Sequence, residues 1–380
     1  MNVLHIYKDY IHNSKGGVEQ AIYQLCRETT LRGVKNKVLT LGDKHSGYEE
    51  IERDEARVIS CPCTAEISSC KFSWSIWKRY KRYAEWADVV HYHFPWPLED
   101  LLHLLSRINK PSLVTYHSDI IKQKVLNLFY SPLKHAFLSS VDHIVATSPN
   151  YVQTSSVLSG FKSKVSVIPL GLNPESYPDV EPRILSGWKT KLGGNFFLFI
   201  GVLRYYKGLN ILLDAAAMSK EHFVLAGAGP LEKELRSKAS SLGLNNVHFL
   251  GRIREKDKAA LLSLCRGVIL PSHLRSEAFG LTLLEGAMFE RPLISAEIGT
   301  GTSFINEHGV TGIVVPASDP EALKNAAEKL GSSPDLAERM GKNAGKRFFK
   351  LFTAQKQAGQ YIKLYESLIR AKTRPGNATG

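Results

Sequence analysis

The sequence of 380 residues lacks any uninterrupted run of about 18 apolar residues, the length that a membrane-spanning helix needs. Residues 1–10, MNVLHIYKDY, contain neither a basic n-region nor an apolar h-region, so they do not resemble a secretory signal. These two absences argue against a transmembrane helix and against export. We therefore expect a cytoplasmic protein.

Cysteine is also scarce, since the chain contains only five. The odd number and the absence of paired C-x2-C spacings argue against a disulfide framework. Cys61, Cys63 and Cys70 lie close together in sequence, but a Cys-Pro-Cys spacing is not typical of structural zinc. We predict that these three are free, partly buried thiols without a chemical role.

Acidic residues are few relative to basic ones, with 36 Asp and Glu against 49 Lys and Arg, and the formal net charge is +13. A positive field of this kind favours nucleic acid, an anionic membrane surface or a phosphorylated substrate as partner. The sequence contains no zinc-finger spacing, no RNP aromatic motif and no basic region followed by heptads, which disfavours nucleic acid. A membrane surface and a phosphorylated substrate remain.

Short apolar, β-branched runs alternate with amphipathic helical patterns along the chain, which predicts an α/β fold of parallel sheets covered by helices. The predicted strands form two series, 3–6, 36–41, 89–93, 113–117, 143–147 and 165–168, then 196–201, 223–226, 247–250, 267–270, 293–296 and 312–315. Between the series, 171–194 is rich in proline and has little periodicity, which is typical of a domain connection. We predict domains at 1–180 and 181–353, followed by a helix at 354–372.

The stretch PSHLRSEAFGLTLLEG, residues 271–286, follows a predicted strand and ends in a predicted helix, so it lies at the sheet edge where open α/β folds bind ligands. Glu277 and Glu285 stand in an E-x7-E spacing, and a carboxylate here can accept hydrogen bonds from a sugar diol. Gly280, Leu281 and Thr282 offer free amides at the helix N-terminus, which suits a phosphate. The alternative for each glutamate is a solvated helix charge.

Two more loops follow strands of the second series. In GVLRYYKG, residues 201–208, Arg204 and Lys207 are close enough in sequence to bind one diphosphate, although a basic surface turn is the alternative. In GAGP, residues 227–230, Gly229 belongs to a turn that resembles a truncated dinucleotide-binding fingerprint.

The first series has two comparable places. Gly16 and Gly17 precede a predicted helix and allow backbone amides to approach a phosphate, or else form an ordinary flexible loop. His117 ends a predicted strand, where it is either functional or structural. His91 and His93 alternate on another strand, but no carboxylate follows at ligand spacing, so we predict no metal site there.

In this order along nearly the whole chain, these features resemble the retaining glycosyltransferases of family 4. The resemblance implies a GT-B fold, in which two Rossmann-like parallel-sheet domains face an interdomain cleft. VLHIYKDY, GGVEQAIYQLC, HYHFPWP and GTGTSFINEHGVTG are similar to bacterial mannosyl- and D-rhamnosyltransferases of O-antigen and common-antigen synthesis. That likeness implies a nucleotide-sugar donor, GDP-mannose first, and a lipid-linked saccharide acceptor at the cytoplasmic face of the inner membrane.

The resemblance also implies roles for single residues. Glu285 would bind the donor ribose, Glu277 would lie beside the transferred sugar, and His117 would contact that sugar from the other domain. Arg204 and Lys207 would neutralise the diphosphate. The remaining donor-binding positions that it implies are Gly16, Gly17, Gly229, Ile253, Phe279, Gly280, Leu281 and Thr282, and the helix at 354–372 would return to the N-terminal domain.

The chain departs from the family pattern at Val202, where the family commonly has arginine, so Arg204 would take over that role. No Asp-x-Asp pair is present to hold a divalent cation for the leaving diphosphate. We therefore predict a metal-independent enzyme without a cofactor, in which positive charges and helix amides stabilise the leaving group. We expect attack on the same face, with the departing phosphate oxygen taking the acceptor proton.

Three alternatives remain open. D-Rhamnose or another hexose could be transferred from a GDP- or UDP-sugar. A nucleotide-sugar epimerase shares the architecture, and a basic membrane-surface scaffold fits the charge. An epimerase would need acidic groups but no acceptor surface, and a scaffold would leave Glu277, Glu285, Lys207 and the glycine loops without a role.

The segment KFSWSIWKRYKRYAEW, residues 71–86, combines aromatic and basic residues in the manner of an interfacial helix. On a helix, Phe72, Ile76, Tyr80 and Tyr83 form one stripe, flanked by Lys78, Arg79, Lys81 and Arg82. We predict that this stripe contacts an anionic membrane surface. The alternative is an ordinary helix that covers the sheet.

Overall fold

The computed structural model describes residues 1–11, 16–43, 47–67, 70–120 and 124–373. The chain divides into two compact units. Unit 1 comprises Met1–Gly171 together with the chain from Ala354 onward, and unit 2 comprises Leu172–Thr353. Within the described ranges no helix is long and apolar enough to cross a bilayer.

Unit 1 is built on a mostly parallel sheet. Its strands are β1 (Asn2–Ile6), β2 (Lys35–Leu41), β3 (Glu49–Glu52), β4 (Arg57–Cys61), β5 (Ala65–Ile67), β6 (Cys70–Phe72), β7 (Val89–Phe94), β8 (Ser112–Tyr116), β9 (His143–Ala146) and β10 (Val165–Val167). The helices between them are α1 (Gly17–Thr30), α2 (Ile76–Trp86), α3 (Pro97–Ser106), α4 (Lys124–Ser140) and α5 (Pro149–Thr154). The main sheet has the order β10-β9-β8-β7-β1-β2-β4-β3, in which only β3 runs antiparallel, and β5 and β6 form a separate hairpin.

Unit 2 has a fully parallel sheet. Its helices are α6 (Pro182–Leu192), α7 (Leu209–Ala217), α8 (Glu232–Ser241), α9 (Glu255–Leu264), α10 (Leu281–Met288), α11 (Gly301–Ile305), α12 (Pro320–Ser332) and α13 (Pro334–Leu351). Its strands are β11 (Phe196–Ile200), β12 (His222–Ala226), β13 (Val247–Gly251), β14 (Gly267–Leu270), β15 (Leu293–Glu297) and β16 (Gly312–Pro316). The order β13-β12-β11-β14-β15-β16 is that of a doubly wound sheet, and it reverses between β11 and β14.

The last helix, α14 (Ala354–Thr373), belongs to unit 1. Its Ala358, Tyr361 and Tyr365 are buried in a cluster with Val3 of β1 and Val89 of β7. This burial is favourable because each aromatic ring removes a large apolar surface from water. The C-terminal helix is therefore part of the unit 1 core.

The predicted α/β class is confirmed, and each predicted strand is present. Strands β3 to β6 were not predicted from the sequence. Strand β3 is fully exposed and the hairpin strands β5 and β6 are only three residues long, whereas β4 is five residues long and mostly buried. The sequence analysis also missed α6, which lies inside the segment interpreted as a connection. The domain boundary predicted at 180 falls inside unit 2, since the amide of Leu172 donates to the Phe352 carbonyl and ties this segment to the second unit.

The prediction of free thiols is confirmed for Cys61 and Cys63. Cys26, Cys61, Cys63 and Cys265 are free and buried. The side chain of Cys70 lies outside what the structure describes.

Candidate active site

The strand order of unit 2 brings two predicted loops together at the point where it reverses. The loop with Arg204 and Lys207 follows β11, and the segment with Glu277 follows β14, the strand paired with β11. Parallel strands end at the same sheet edge, so the two segments meet there. This is the position at which open α/β sheets bind ligands.

Lys207 and Glu277 form an ion pair at this edge, between Nζ and Oε2. Both side chains are largely removed from solvent, with 12% and 10% of their surface exposed. Ser272 Oγ donates a second hydrogen bond to the same carboxylate oxygen at 3.2 Å. Burial lowers the pKa of Lys207, but the adjacent Glu277 carboxylate and Tyr206 offset this, and the net pKa lies above its ordinary value. The ammonium is therefore held charged.

Arg204 differs from Lys207 in its surroundings. It is exposed and lies at the start of a 3-10 turn, Tyr205–Lys207. No ion pair of Arg204 occurs among the residues that the structure describes. Val202, which replaces the family arginine, is 39% exposed. The structure thus places one fixed cation and one solvated cation in this loop.

Glu285 lies on α10 with its side chain buried and two donors on one oxygen. Tyr177 Oη donates to Oε1 at 2.8 Å, and Lys258 Nζ lies 2.7 Å from the same atom. Lys258 also pairs with Glu255 at 2.7 Å. Burial lowers the pKa of Lys258, but Glu285 and Glu255 more than offset this, and the pKa is raised. Glu285 is therefore oriented by a tyrosine and a lysine, not solvated as the alternative interpretation held.

The N-terminus of α10 has the backbone geometry that the sequence analysis expected. Gly280 is the N-cap with a φ of +95°, a left-handed conformation that disfavours side chains. The Thr282 hydroxyl donates to the Ile200 carbonyl at 2.9 Å and so fastens α10 to the end of β11. No acceptor for the amides of Gly280, Leu281 and Thr282 is found in the described part of the chain.

Gly229 and its neighbours have a clear packing role. A Cβ on Gly229 would lie 2.6 Å from the backbone nitrogen and oxygen of Leu203. The amide of Leu203 donates to the Ala228 carbonyl at 3.2 Å, so the GAGP turn and the GVLRYYKG loop contact each other through backbone. Phe279 is buried, and Ile253 is half-buried in the loop after β13.

In unit 1 the paired glycines lie at the start of α1, where Gly16 is the N-cap and Gly17 is exposed. Glu19, which is buried, folds back over this end, because a Cβ on Gly16 would lie 2.2 Å from its Oε2. A carboxylate there complements the positive end of the helix. Residues 12–15, which precede these glycines, lie outside the described residues.

His117 follows β8 at the carboxyl edge of the unit 1 sheet and is 5% exposed. Its Nε2 lies 3.1 Å from His93 Nδ1. Burial lowers the pKa of His117 to about 3, so the ring is neutral near pH 7. This histidine is therefore a neutral hydrogen-bonding group.

The prediction that the aromatic stripe of residues 71–86 faces a membrane is wrong for most of the stripe. Ile76, Tyr80 and Tyr83 are buried, and Tyr80 Oη lies 2.6 Å from Tyr92 Oη of β7. The amphipathic face covers the sheet because burial there satisfies both the rings and their hydroxyls. Trp74, at 85% exposed, and the solvent-facing cations of α2 remain on the surface.

Sequence reasoning missed three residues that shape the unit 2 site, namely Tyr177, Lys258 and Ser272. Tyr177 comes from the segment interpreted as a connection, and Lys258 lies on α9 among other charged residues. Neither carries a local motif. Ser272 stands inside the 271–286 stretch, where a hydroxyl two residues after a strand was an available signal.

Comparison with known families agrees with this architecture. Residues 15–176 match the family model described as Glycosyltransferase Family 4, and residues 182–347 match Glycosyl transferases group 1. The chain is 52% identical over 360 residues to the D-rhamnosyltransferase WbpZ of Pseudomonas aeruginosa, and the match covers 93% of each chain. The chain belongs to glycosyltransferase family 4.

Other relatives of this glycosyltransferase extend the comparison. It is 48% identical to the O-antigen chain mannosyltransferase C of Escherichia coli, over 98% of this chain and 100% of that protein. Its fold matches that of sucrose-phosphate synthase from Thermosynechococcus elongatus with a TM-score of 0.79, at 22% identity and with 97% and 99% of the two chains covered. The transferase therefore has the GT-B fold of two Rossmann-like units.

Proposed function

We propose that this glycosyltransferase moves a mannosyl or a D-rhamnosyl residue from a GDP-sugar to a lipid-linked saccharide in O-antigen synthesis. The observation that carries the proposal is near full-length similarity to two transferases named for these two sugars. D-Rhamnose is D-mannose without the C6 hydroxyl, so one site can serve either sugar. Mannose and D-rhamnose are supported equally.

The donor site that we propose lies on unit 2. Glu285, oriented by Lys258 and Tyr177, binds the ribose hydroxyls, and Glu277 lies beside the transferred sugar. Lys207, Arg204 and the amides at the start of α10 bind the diphosphate. Their positive charge supports this assignment because a leaving diphosphate gains negative charge in the transition state. Gly229, Ile253 and Phe279 complete the proposed donor set on unit 2, and Gly16, Gly17 and His117 are the substrate contacts that we propose on unit 1.

The reaction that we propose retains the configuration at the anomeric carbon. The bond from that carbon to the donor phosphate oxygen breaks, and the acceptor hydroxyl oxygen forms its bond on the same face. The departing phosphate oxygen takes the acceptor proton, and the nucleoside diphosphate leaves. Lys207 lowers the barrier by being held charged before the charge develops on the phosphate.

The lipid-linked acceptor implies a contact with the cytoplasmic membrane surface. We place that contact at Trp74 and the exposed cations Lys78, Lys81 and Arg82, called here the α2 patch. Exposed tryptophan and clustered cations are the residues that bind anionic interfaces.

Donor specificity and reaction class can be tested in one assay. The protein is incubated with GDP-mannose, GDP-D-rhamnose, UDP-glucose or UDP-N-acetylglucosamine, with and without a lipid-linked saccharide acceptor. We expect nucleotide release and a lengthened acceptor with GDP-mannose, GDP-D-rhamnose or both. Interconversion of a nucleotide sugar without acceptor would instead identify an epimerase, and absence of turnover with all donors would contradict transferase activity.

A further inference from the structure

Four polar residues form a diagonal row across adjacent strands of unit 1. Asn36 lies on β2, His5 on β1 and His93 on β7, and His117 follows β8, while the sheet order is β8-β7-β1-β2. Asn36 pairs with Val3, two residues before His5, and His93 lies two residues beyond the partner of His5. His117 is in turn two residues beyond the partner of His93. A step of two keeps all four side chains on the same face.

Asn36 is fixed in one orientation at the inner end of this row. Its Nδ2 donates to the Cys26 carbonyl at 3.0 Å and lies 2.9 Å from Thr29 Oγ1 and 2.8 Å from Thr30 Oγ1. Both threonine hydroxyls donate to backbone carbonyls, so their oxygens can accept from Asn36, and its two N–H donors are shared among the three acceptors. The amide oxygen must then face His5, and it can only accept a hydrogen bond.

The three histidines are joined edge to edge. His5 Nε2 lies 3.3 Å from Asn36 Oδ1, His5 Nδ1 lies 3.1 Å from His93 Nε2, and His93 Nδ1 lies 3.1 Å from His117 Nε2. Adjacent ring centroids are 5.4 Å apart at both links, with planes 23° and 24° from parallel. This separation suits rings joined by in-line N–H···N bonds, not rings stacked face to face.

The anchor determines where each proton lies. Burial lowers the pKa of His5 to about 4 and that of His117 to about 3, and it lowers the pKa of His93 well below its usual range. Each ring is therefore neutral near pH 7 and carries one N–H. Because Asn36 only accepts, His5 is protonated on Nε2, His93 must then be protonated on Nε2, and so must His117. His117 Nδ1 is left with a lone pair, and no partner for this atom is found in the described part of the chain.

A metal centre is the competing interpretation of this cluster. Ring nitrogens of His5, His91 and His93 lie within 4.8 Å of one another. However, His91 Nδ1 lies 2.8 Å from Tyr365 Oη and its Nε2 lies 2.7 Å from Thr115 Oγ1. Since the nitrogens of His5 and His93 are also hydrogen-bonded, a metal ion would have to displace several bonds at once.

We propose that Asn36, His5 and His93 are positioning residues that hold His117 in its Nε2–H tautomer, so that Nδ1 can only accept a hydrogen bond. This relay presents a fixed acceptor at the carboxyl edge of the unit 1 sheet, where α/β folds bind ligands. Resting on the proposed function, the group that donates to Nδ1 is a hydroxyl of the transferred sugar. A fixed tautomer avoids a loss of affinity for the sugar. In an equal mixture of tautomers, half of the molecules would present an N–H donor at Nδ1 to the hydroxyl that donates there.

The tautomers are measured by nitrogen-15 NMR of the protein labelled at its histidine rings, without substrate. In the wild-type protein we expect a pyrrole-type Nε2 and a pyridine-type Nδ1 for His117, together with scalar couplings across both N–H···N links. An Nδ1–H tautomer or a mixture at His117 would overturn the proposal. This measurement does not depend on turnover, so its result is separate from the outcome of the donor assay.

Two variants separate the relay from general packing. His5→Phe removes the acceptor for His93 and should give a tautomer mixture at His117. His91→Phe is the matched control, because His91 is equally buried, pairs with His5 in the sheet and stacks on His93 at 4.2 Å, yet lies outside the relay. It should leave the single tautomer unchanged.

With a working donor, His5→Phe should lower turnover about 3- to 10-fold more than His91→Phe, the effect of one neutral hydrogen bond.

The remaining outcomes also decide the question. An unchanged His117 tautomer in His5→Phe would overturn the relay. So would stoichiometric zinc binding to the wild-type protein that His5→Phe abolishes, because the cluster would then be a metal centre. If His5→Phe does not fold, the couplings in the wild-type protein still test the proposal.

Discussion

Lys207 and Glu277 form an ion pair that is largely removed from solvent, whereas the neighbouring Arg204 is exposed. Replacing Lys207 by Met should lower turnover about 30- to 1000-fold, corresponding to the ~2–4 kcal/mol typical of one preorganised electrostatic group. It should also destabilise the fold by leaving a buried carboxylate unpaired. Steady-state kinetics and thermal melting measure the two effects.

The double variant Lys207→Met with Glu277→Gln serves as the control for that prediction. Removing both charges should restore most of the melting temperature without restoring turnover. Arg204→Met should leave stability unchanged and lower turnover less than Lys207→Met does. Equal activity losses at Arg204 and Lys207 would contradict the distinction between the fixed and the solvated cation.

The two glutamates of the E-x7-E pair should separate binding from turnover. Glu285→Gln should weaken GDP binding about tenfold or more, since hydrogen bonds to a charged group are lost. Glu277→Gln should lower kcat and leave GDP binding within about threefold, because the role that we propose for Glu277 is at the transferred sugar and not at the nucleotide. Calorimetry with GDP and initial-rate kinetics measure these effects, and near-normal transfer by both variants would refute the site assignment.

At the scale of elements, the GAGP turn keeps the cation loop in place by direct backbone contact. Gly229→Ala should destabilise unit 2 by about 1–3 kcal/mol, because its Cβ would overlap the Leu203 backbone. Gly187→Ala is the control within the same unit, since Gly187 lies on the exposed side of α6 with nothing near its Cβ. That change should stabilise the helix by roughly 0.5–1 kcal/mol. Equal melting temperatures for the two variants would contradict the packing role.

The α2 patch can be tested separately from the α2 core. Changing Lys78, Lys81 and Arg82 to Ser should weaken binding to phosphatidylglycerol vesicles about a hundredfold, at ~1 kcal/mol for each cation. Arg79 is retained, because its guanidinium lies 3.7 Å from the Tyr48 ring and donates to the Ser75 carbonyl. Transfer to a soluble acceptor analogue should be preserved.

A matched triple variant with the same change in net charge checks that experiment. Lys189, Lys220 and Lys233 are exposed cations of unit 2, and their replacement by Ser should leave vesicle binding nearly unchanged. Vesicle sedimentation compares the two variants. Equal loss in both would show that net charge, and not the α2 patch, governs the membrane contact.

At the scale of the whole molecule, the excess of basic residues bears on metal dependence. The donor site that we propose carries Lys207, Arg204 and helix amides where many transferases use a divalent cation. We expect activity to persist in saturating EDTA, measured as nucleotide release before and after addition of Mg²⁺ or Mn²⁺. An absolute requirement that either ion restores would reveal a metal site that the sequence does not indicate.

The sequence determined much of the fold, because strand and helix periodicity are local properties. Apolar runs with turns between them located all six strands of the unit 2 sheet and six of the eight strands of the main unit 1 sheet, and glycines marked the positions where α1 and α10 begin. It also singled out Lys207, Glu277 and Glu285 as candidate site residues, because they lie in the segments that follow β11 and β14. A local pattern is sufficient to predict such a position, because the residue and the strand before it are close in sequence.

Only the tertiary structure decided which of these residues meet. The pairing of Lys207 with Glu277 and of Lys258 with Glu285 depends on which strands and helices are neighbours, and periodicity carries no such information. The same holds for α2, whose aromatic stripe turned toward the sheet. The row from Asn36 to His117 depends on the order and register of four strands that are far apart in sequence. Such contacts are set by long-range packing, because the buried polar groups of one strand must find partners on the next.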